Sequence, residues 1–329
     1  MKGIKEALLS TTLLTSYARQ MYPQDLSSHG ERLIQLASGP AVNASPGAAF
    51  KPAAAGCTDS PVFLTTTGIG TFTSAFSANC THMTVQVIGA GGRGGFGSGA
   101  GGKGGGFGQK NGVAITVGQK FKYQVGRGYY NNSTSNSFFC SGTLNCTVIT
   151  SSAVIAAGTG GNSGASYNIG DVIFNGGTGG VLNGTRFGGG GGAAGPNGDG
   201  AAGTNGDAVN SGAGGQGDNG TGGTGGAGRS TDGPGNPGNP GTEMGSSKGS
   251  AGGGGGARGA SNAAAAGAVF GGGSGQSGGS AAGGAYPGNG GIKLIPSTFN
   301  LIDARLPQYA DAGAVRNETF GSAGTVESA

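Results

Sequence analysis

The chain has no tryptophan, only two histidines, four cysteines and 10% charged residues, so several chemistries have little to work with. His29 and His82 are the only imidazoles and neither sits in an H-E-x-x-H spacing, which leaves poor material for a zinc site. The cysteines Cys57, Cys80, Cys140 and Cys146 form no C-x-x-C pair, removing the common zinc and dithiol redox motifs. Charge at 10%, where roughly 25% is usual, excludes the highly charged composition of most disordered tails. The net charge of +4 comes from 18 basic and 14 acidic residues with no Lys/Arg cluster, so no nucleic-acid surface is expected. No apolar run reaches the 18 residues of a membrane span. These gaps, with no pair of carboxylates at a telling spacing, point away from an enzyme, and no cofactor or metal is expected.

What is abundant is glycine. The 82 glycines and 12 prolines are about 29% of the 329 residues, against an ordinary share of roughly 12%. Of those glycines, 72 lie between residues 89 and 291. Collagen is excluded because the triplets break: Gly192, Gly195 and Gly198; Gly200, Gly203 and Gly206; Gly214, Gly217, Gly220, Gly223 and Gly226; Gly235, Gly238 and Gly241. Short triplet runs suit a bundle of polyproline-II-like helices folded from one chain, since that helix has three residues per turn and no internal hydrogen bonds. Glycine on the facing side lets backbones approach until N–H and C=O groups pair between helices. A run of five triplets then spans about 46 Å, with loops gathered at the two ends.

Apolar residues alternate elsewhere. Val85 and Val87 flank Gln86, and Phe121, Tyr123 and Val125 alternate with Lys122 and Gln124, predicting half-buried strands. Further strands are expected at 113–117, 147–150, 153–156, 171–174 and 292–295, separated by Gly and Asn turns. Seven short strands imply a mainly β chain of sandwich or jelly-roll type, with the glycine tract inserted before the closing strand. The expected divisions are an N-terminal helical segment and linker at 1–56, a β part at 57–188, the polyglycine insertion at 189–291, the closing strand at 292–296 and an extension at 297–329. In the first of these, Ile4, Leu8, Leu14 and Met21 lie near one face of a short α-helix that Pro23 closes, a stripe suited to docking on a partner. The same stretch also resembles a secretory signal, with Lys2 and Lys5 before a short apolar run, although Glu6 interrupts it.

The nucleotide motifs fail on context. Gly89, Gly91 and Gly94 meet the G-x-G-x-x-G spacing, but neither a helix nor an acidic residue about 20 positions on follows, and the P-loop-like stretch from Gly97 to Lys103 lacks its Ser or Thr. Four cysteines allow three pairings. Cys140 and Cys146 flank a five-residue turn and could close it, Cys57 with Cys80 is the default second pair, and four free thiols are the other state.

The order TVQVIGAGGRGG, GGKGGGFGQKNGVAITVGQKFKYQVGRG, a glycine tract and GGAYPGNGGIKLI resembles the glycine-rich domain of tail-fibre and receptor-binding proteins of tailed bacteriophages, over residues 68–296. Val117, Gly118 and Gln119 stand where that family has a V-x-P-G-Q turn, with the proline missing. Some phage adhesins of this composition carry packed polyglycine-II helices with receptor-reading loops at one end. The resemblance implies a virion protein, made in the host cytoplasm and exposed outside the cell. It would be held to other tail proteins by its N-terminal segment and bind a surface glycan or outer-membrane protein, and a homo-oligomer is compatible with that role. A capsid spike or decoration protein, or a bacterial cell-envelope protein, are the other readings. GAGGQGDNGTGGTGGAG also resembles the glycine-rich repeats of mycobacterial surface proteins. Receptor contact is expected in non-glycine loops carrying aromatic and polar groups: Tyr129 and Tyr130, Tyr167, Arg229 in 229–232, and Thr242, Glu243 and Lys248 in 242–248. Phe138 and Phe139 read as strand core.

Overall fold

The computed structural model describes residues 56–95, 99–128, 135–142, 146, 148–161, 167–259, 262–278 and 285–298. The expected N-terminal helix with Ile4, Leu8, Leu14 and Met21 lies outside the described residues, as do Tyr129 and Tyr130.

The described chain is mainly β. Its strands are β1 (Val62–Leu64), β2 (Gly68–Thr73), β3 (His82–Ile88), β4 (Phe107–Ala114), β5 (Lys120–Val125), β6 (Ser137–Cys140), β7 (Val154–Gly158), β8 (Val172–Phe174) and β9 (Gly291–Ser297). They form two antiparallel sheets, ordered β1-β9-β3-β4-β8 and β2-β5-β6-β7. The period of two decides which faces are buried. Met83, Val85 and Val87 of β3 with Ile292 and Leu294 of β9 share one apolar core with Phe72, Phe121, Val125, Phe139 and Ala156 from the second sheet. The Phe121 and Phe139 rings lie 5.2 Å apart at its centre, each burial worth roughly 2–3 kcal/mol. Cys57 is bonded to Cys80, a member of this core. Phe138 points to the other face of β6, where it packs with Cys140, Cys146, Ile149 and Val154, and Cys140 is bonded to Cys146.

Two strand expectations change. Residues 148–150 form a turn, because Ile149 buries its side chain in that cluster without pairing its backbone in a ladder. The strand expected at 113–117 begins earlier, at Phe107, and ends at Ala114, where the Thr116–Gln119 turn takes over. Strands β1 and β2 were outside the expected set, while β6 contains Phe138 and Phe139, the pair that read as strand core.

Glycine segments run between the sheets' strands: 89–95 and 100–106 between β3 and β4, and 175–181 through 285–290 between β8 and β9. Their amides follow a period of three. Gly189 and Gly192 donate to Thr204 and Ala201, Gly190 and Ala193 to Gly254 and Ala251, and Gly191 and Ala194 to Gly102 and Gly105. The carbonyls of the same segment, 187–195, accept from Gly177 and Gly180, from Gly212 and Gly215, and from Gly273 and Gln276. Segment 187–195 is therefore ringed by 200–206, 250–258, 100–106, 175–181, 211–217 and 271–277, and its backbone groups are satisfied without a ladder of fixed partners. Closeness requires glycine here. A Cβ added at Gly192 would run into the carbonyl oxygen of Gln216, and one at Gly253 into that of Gly190.

The longest triplet run is not one rod. Gly217 N–H donates to Gly223 C=O, and Asp218 and Asn219 turn the chain with φ of 49° and 51°. Gly214–Gly226 is thus two antiparallel segments, 211–217 and 222–228, in register through Gly214 with Gly226 and Ser211 with Arg229.

Candidate functional site

Chain direction assigns the turns to two ends. Segments 89–95 and 175–181 leave β3 and β8, so Gly95 and Val181 at their far ends lie away from the sheets, and the bridge between Ala100 and Val181 joins the neighbouring segments there. Hydrogen-bond register carries the assignment through the other segments: turns 181–186, 207–210 and 229–233, with Arg258 and Gly259, share the end remote from the sheets. Turns 195–198, 218–221, 242–249 and 269–271 share the near end.

The near end is a docking base. Met244 and Phe270 join Ile88, Phe107, Ala193 and Ala194 in a buried cluster against Phe63, Val172 and Phe174. Lys248 Nζ sits 4.3 Å above the Phe63 ring. Glu243 accepts from the Ser250 N–H and so closes the 242–250 turn, while Thr242 is exposed. Burial lowers the pKa of Lys293 beside this cluster, opposed by the Glu243 carboxylate. Asp218, fully buried, accepts from the Asn197 N–H at 2.7 Å, the Gly198 N–H at 3.1 Å and the Thr221 hydroxyl at 2.8 Å, tying two turns together.

The remote end is polar and open. Val181 and Val209 are 50% and 58% exposed at its turn tips. Asp207 holds its own turn by accepting from the Asn210 N–H at 2.5 Å and the Val209 N–H at 2.6 Å, and these two bonds keep its carboxyl below the usual range, with a further contribution from the Arg186 charge. Arg258 Nε lies 3.6 Å from Asp232 Oδ1.

The sequence-predicted contact residues therefore fall apart in space. Arg229 is at the remote end, while Thr242, Glu243 and Lys248 are at the near end. Tyr167, 48% exposed, precedes β8, its N–H donating to Thr159 Oγ1. Arg186, Val181, Val209 and Arg258 were missed, and the signal for them was the one that singled out 229–232: a bulky or charged residue interrupting glycine, as in VLNGTR, DAVN and ARGASN. Gly245, Ser247 and Gly249 reproduce a G-x-S-x-G spacing and Ser247 has φ of 53°, but it lies in a turn between glycine segments, not between a strand and a helix. Among the described residues there is no group of three or more His, Cys, Asp or Glu side chains placed to hold a metal, and no helix long and apolar enough to cross a membrane. No protein-family model and no curated protein matches the chain.

Proposed function

We propose that this chain is a virion protein of a tailed bacteriophage, a tail-fibre or tail-tip adhesin that binds a host surface receptor through the turns at the remote end of its glycine segments. In this reading the two sheets are a β-sandwich, the glycine segments are packed polyglycine-II helices, and residues 1–56 attach the protein to the tail. Binding, not catalysis, is the activity.

One observation carries the reading: period-three backbone bonding holds the glycine segments side by side, and their non-glycine turns gather at the end opposite the sheets. Rigid segments holding short, variable turns suit recognition, because the scaffold's order leaves little entropy to lose on contact. The near end has its apolar side chains committed to the sheets, so the remote end is the face left for a receptor. The order of strands and glycine runs supports the family through the resemblance already given.

The test is adsorption. Replacing turns 181–186, 207–210 and 229–232 by Gly/Ser should leave the melting temperature within a few degrees, as surface changes do, and should abolish attachment of particles to host cells. Adsorption at the parental rate overturns the reading. A chain lacking residues 1–56 should fold yet be missing from purified particles by mass spectrometry.

A further inference from the structure

Three arginines that are far apart in sequence belong to adjacent backbones at the remote end. Arg186 and Arg258 are bridge partners: Phe187 N–H donates to Ala257 C=O and Gly259 N–H to Thr185 C=O, each at 3.1 Å. These bonds bracket the two arginines without joining them. They form a non-hydrogen-bonded antiparallel pair, the closer of the two kinds, whose side chains leave the same face. On the other side of Arg258 stands Gly233, bonded to it in both directions at 3.1 Å. Gly233 has no side chain, and the space is taken by Arg229: its Nη1 lies 3.1 Å from where a Cβ of Gly233 would be. Arg186, Arg258 and the guanidinium of Arg229 therefore stand in a row across three neighbouring backbones, a width of about 10 Å.

Such a row is electrostatically incomplete. Like charges directly opposite one another repel, and a non-hydrogen-bonded pair brings them closest. Two carboxylates are near. Asp232 makes the 3.6 Å contact with Arg258 from a side chain that is 78% exposed. Asp207 feels Arg186 but spends Oδ1 on its own turn. Arg186 Nε and Arg229 Nε are buried without a hydrogen-bond partner. A guanidinium presents its donors in a fixed fork that matches phosphate and carboxylate oxygens.

Resting on the adhesin reading, we propose that Arg186, Arg258 and Arg229 form the binding site for the phosphate or carboxylate groups of an anionic surface glycan. A width of about 10 Å across three strands matches a disaccharide unit rather than a single ion. Asn183, Thr185, Ser230 and Thr231 in the flanking turns supply small hydrogen-bonding side chains for sugar hydroxyls. No aromatic side chain lies in turns 181–186, 207–210 or 229–233 to stack a base, which disfavours single-stranded nucleic acid.

The experiment measures binding of the full chain to polyglycerol phosphate, polygalacturonate, neutral dextran and duplex DNA by calorimetry at low salt. Binding to one or both anionic polymers and not to dextran is expected, the two separating a phosphate site from a carboxylate one. Arg258→Gln should weaken it about tenfold and the triple Arg186→Gln, Arg229→Gln, Arg258→Gln chain should abolish it, with melting temperatures showing that both variants are folded. Lys248→Gln, at the near end, should bind as the parent does. The proposal is wrong if neither anionic polymer binds, if the folded triple variant binds like the parent, if Lys248→Gln is equally impaired, or if DNA binds more tightly through the same arginines. Should the triple variant lose polymer binding while particles carrying it adsorb normally, the anion site stands and the adhesin reading fails.

Discussion

Gly217 and Gly220, three residues apart in one triplet run, are glycine for different reasons. A Cβ at Gly217 would meet the carbonyl of Ser250, so the backbone itself is in the way. Gly220 has an open neighbourhood, the nearest atom being Gln216 Oε1 at 3.3 Å, but its φ is +86°. Gly217→Val should cost about 3 kcal/mol and lower the melting temperature by roughly 10 °C, since a packed backbone cannot relax away from a branched side chain. Gly220→Asn should cost less than about 1 kcal/mol, because Asn tolerates the left-handed region. Equal melting temperatures for the two variants would contradict the packing described. Asp218 is the second decisive residue: its buried carboxylate satisfies two backbone amides, the Asn197 side chain and the Thr221 hydroxyl. Asp218→Ala should destabilise by about 3 kcal/mol in urea unfolding, with Asp218→Asn between it and the parent, since an amide keeps only one of the two acceptor oxygens.

At the scale of elements, β8 is a short edge strand of its sheet, three residues long with Ile173 53% exposed. It is fixed partly by Asp171, whose carboxylate accepts from Lys110 Nζ and from the Asn111 N–H across to β4. Burial of Asp171 alone would raise its pKa, but the hydrogen bonds from Lys110 and Asn111 and the lysine charge outweigh it, and the pKa lies below the ordinary value. A depressed carboxylate adds stability above its unfolded pKa, roughly 4, and loses it as pH falls through the folded value. Both side chains are more than a third exposed, so the contribution is no more than about 1 kcal/mol. Asp171→Asn should therefore lower the melting temperature by a few degrees at pH 7, with the difference shrinking as pH falls below about 4. The strands that alternation made legible, β3, β5, β7, β8 and β9, carry Val, Ile or Phe on a buried face. Strand β2 was not legible because in GIGTFT only Phe72 is buried and the glycines that share its face carry no side chain. The 147–150 stretch misled because an apolar residue can be buried in a turn beside a disulfide as well as in a ladder.

For the whole molecule, the glycine segments of 189–291 are not self-contained in their hydrogen bonds. Segment 187–195 gives and takes bonds with 100–106 and 175–181, both outside 189–291, and Gly102 and Gly105 bond to Ser274 and Gly271. A fragment of residues 189–291 should remain unfolded by circular dichroism and show no dispersed amide signals. Glycine's ordering entropy is offset only when each segment is surrounded, and the fragment strips two sides from its central one. A folded fragment would show that the later segments suffice alone.

By itself the sequence determined the class of structure: period-two apolar residues specify half-buried strands, and glycine every third residue permits backbones to pack without side chains between them. Local chemistry is enough for both, because each follows from the geometry of one stretch of chain. Where a triplet run bends, and which end of the glycine segments each interruption reaches, were decided only in three dimensions. The glycine spacing passes through the 218–221 turn unbroken, so Gly214–Gly226 reads as one rod in sequence and folds as two segments. For the same reason 229–232 and 242–248, separated by nine residues and alike in composition, lie at opposite ends, and Arg186, Arg229 and Arg258 become neighbours. Such partners are set by the register of bonds between segments distant along the chain, a property that no single stretch of the sequence contains.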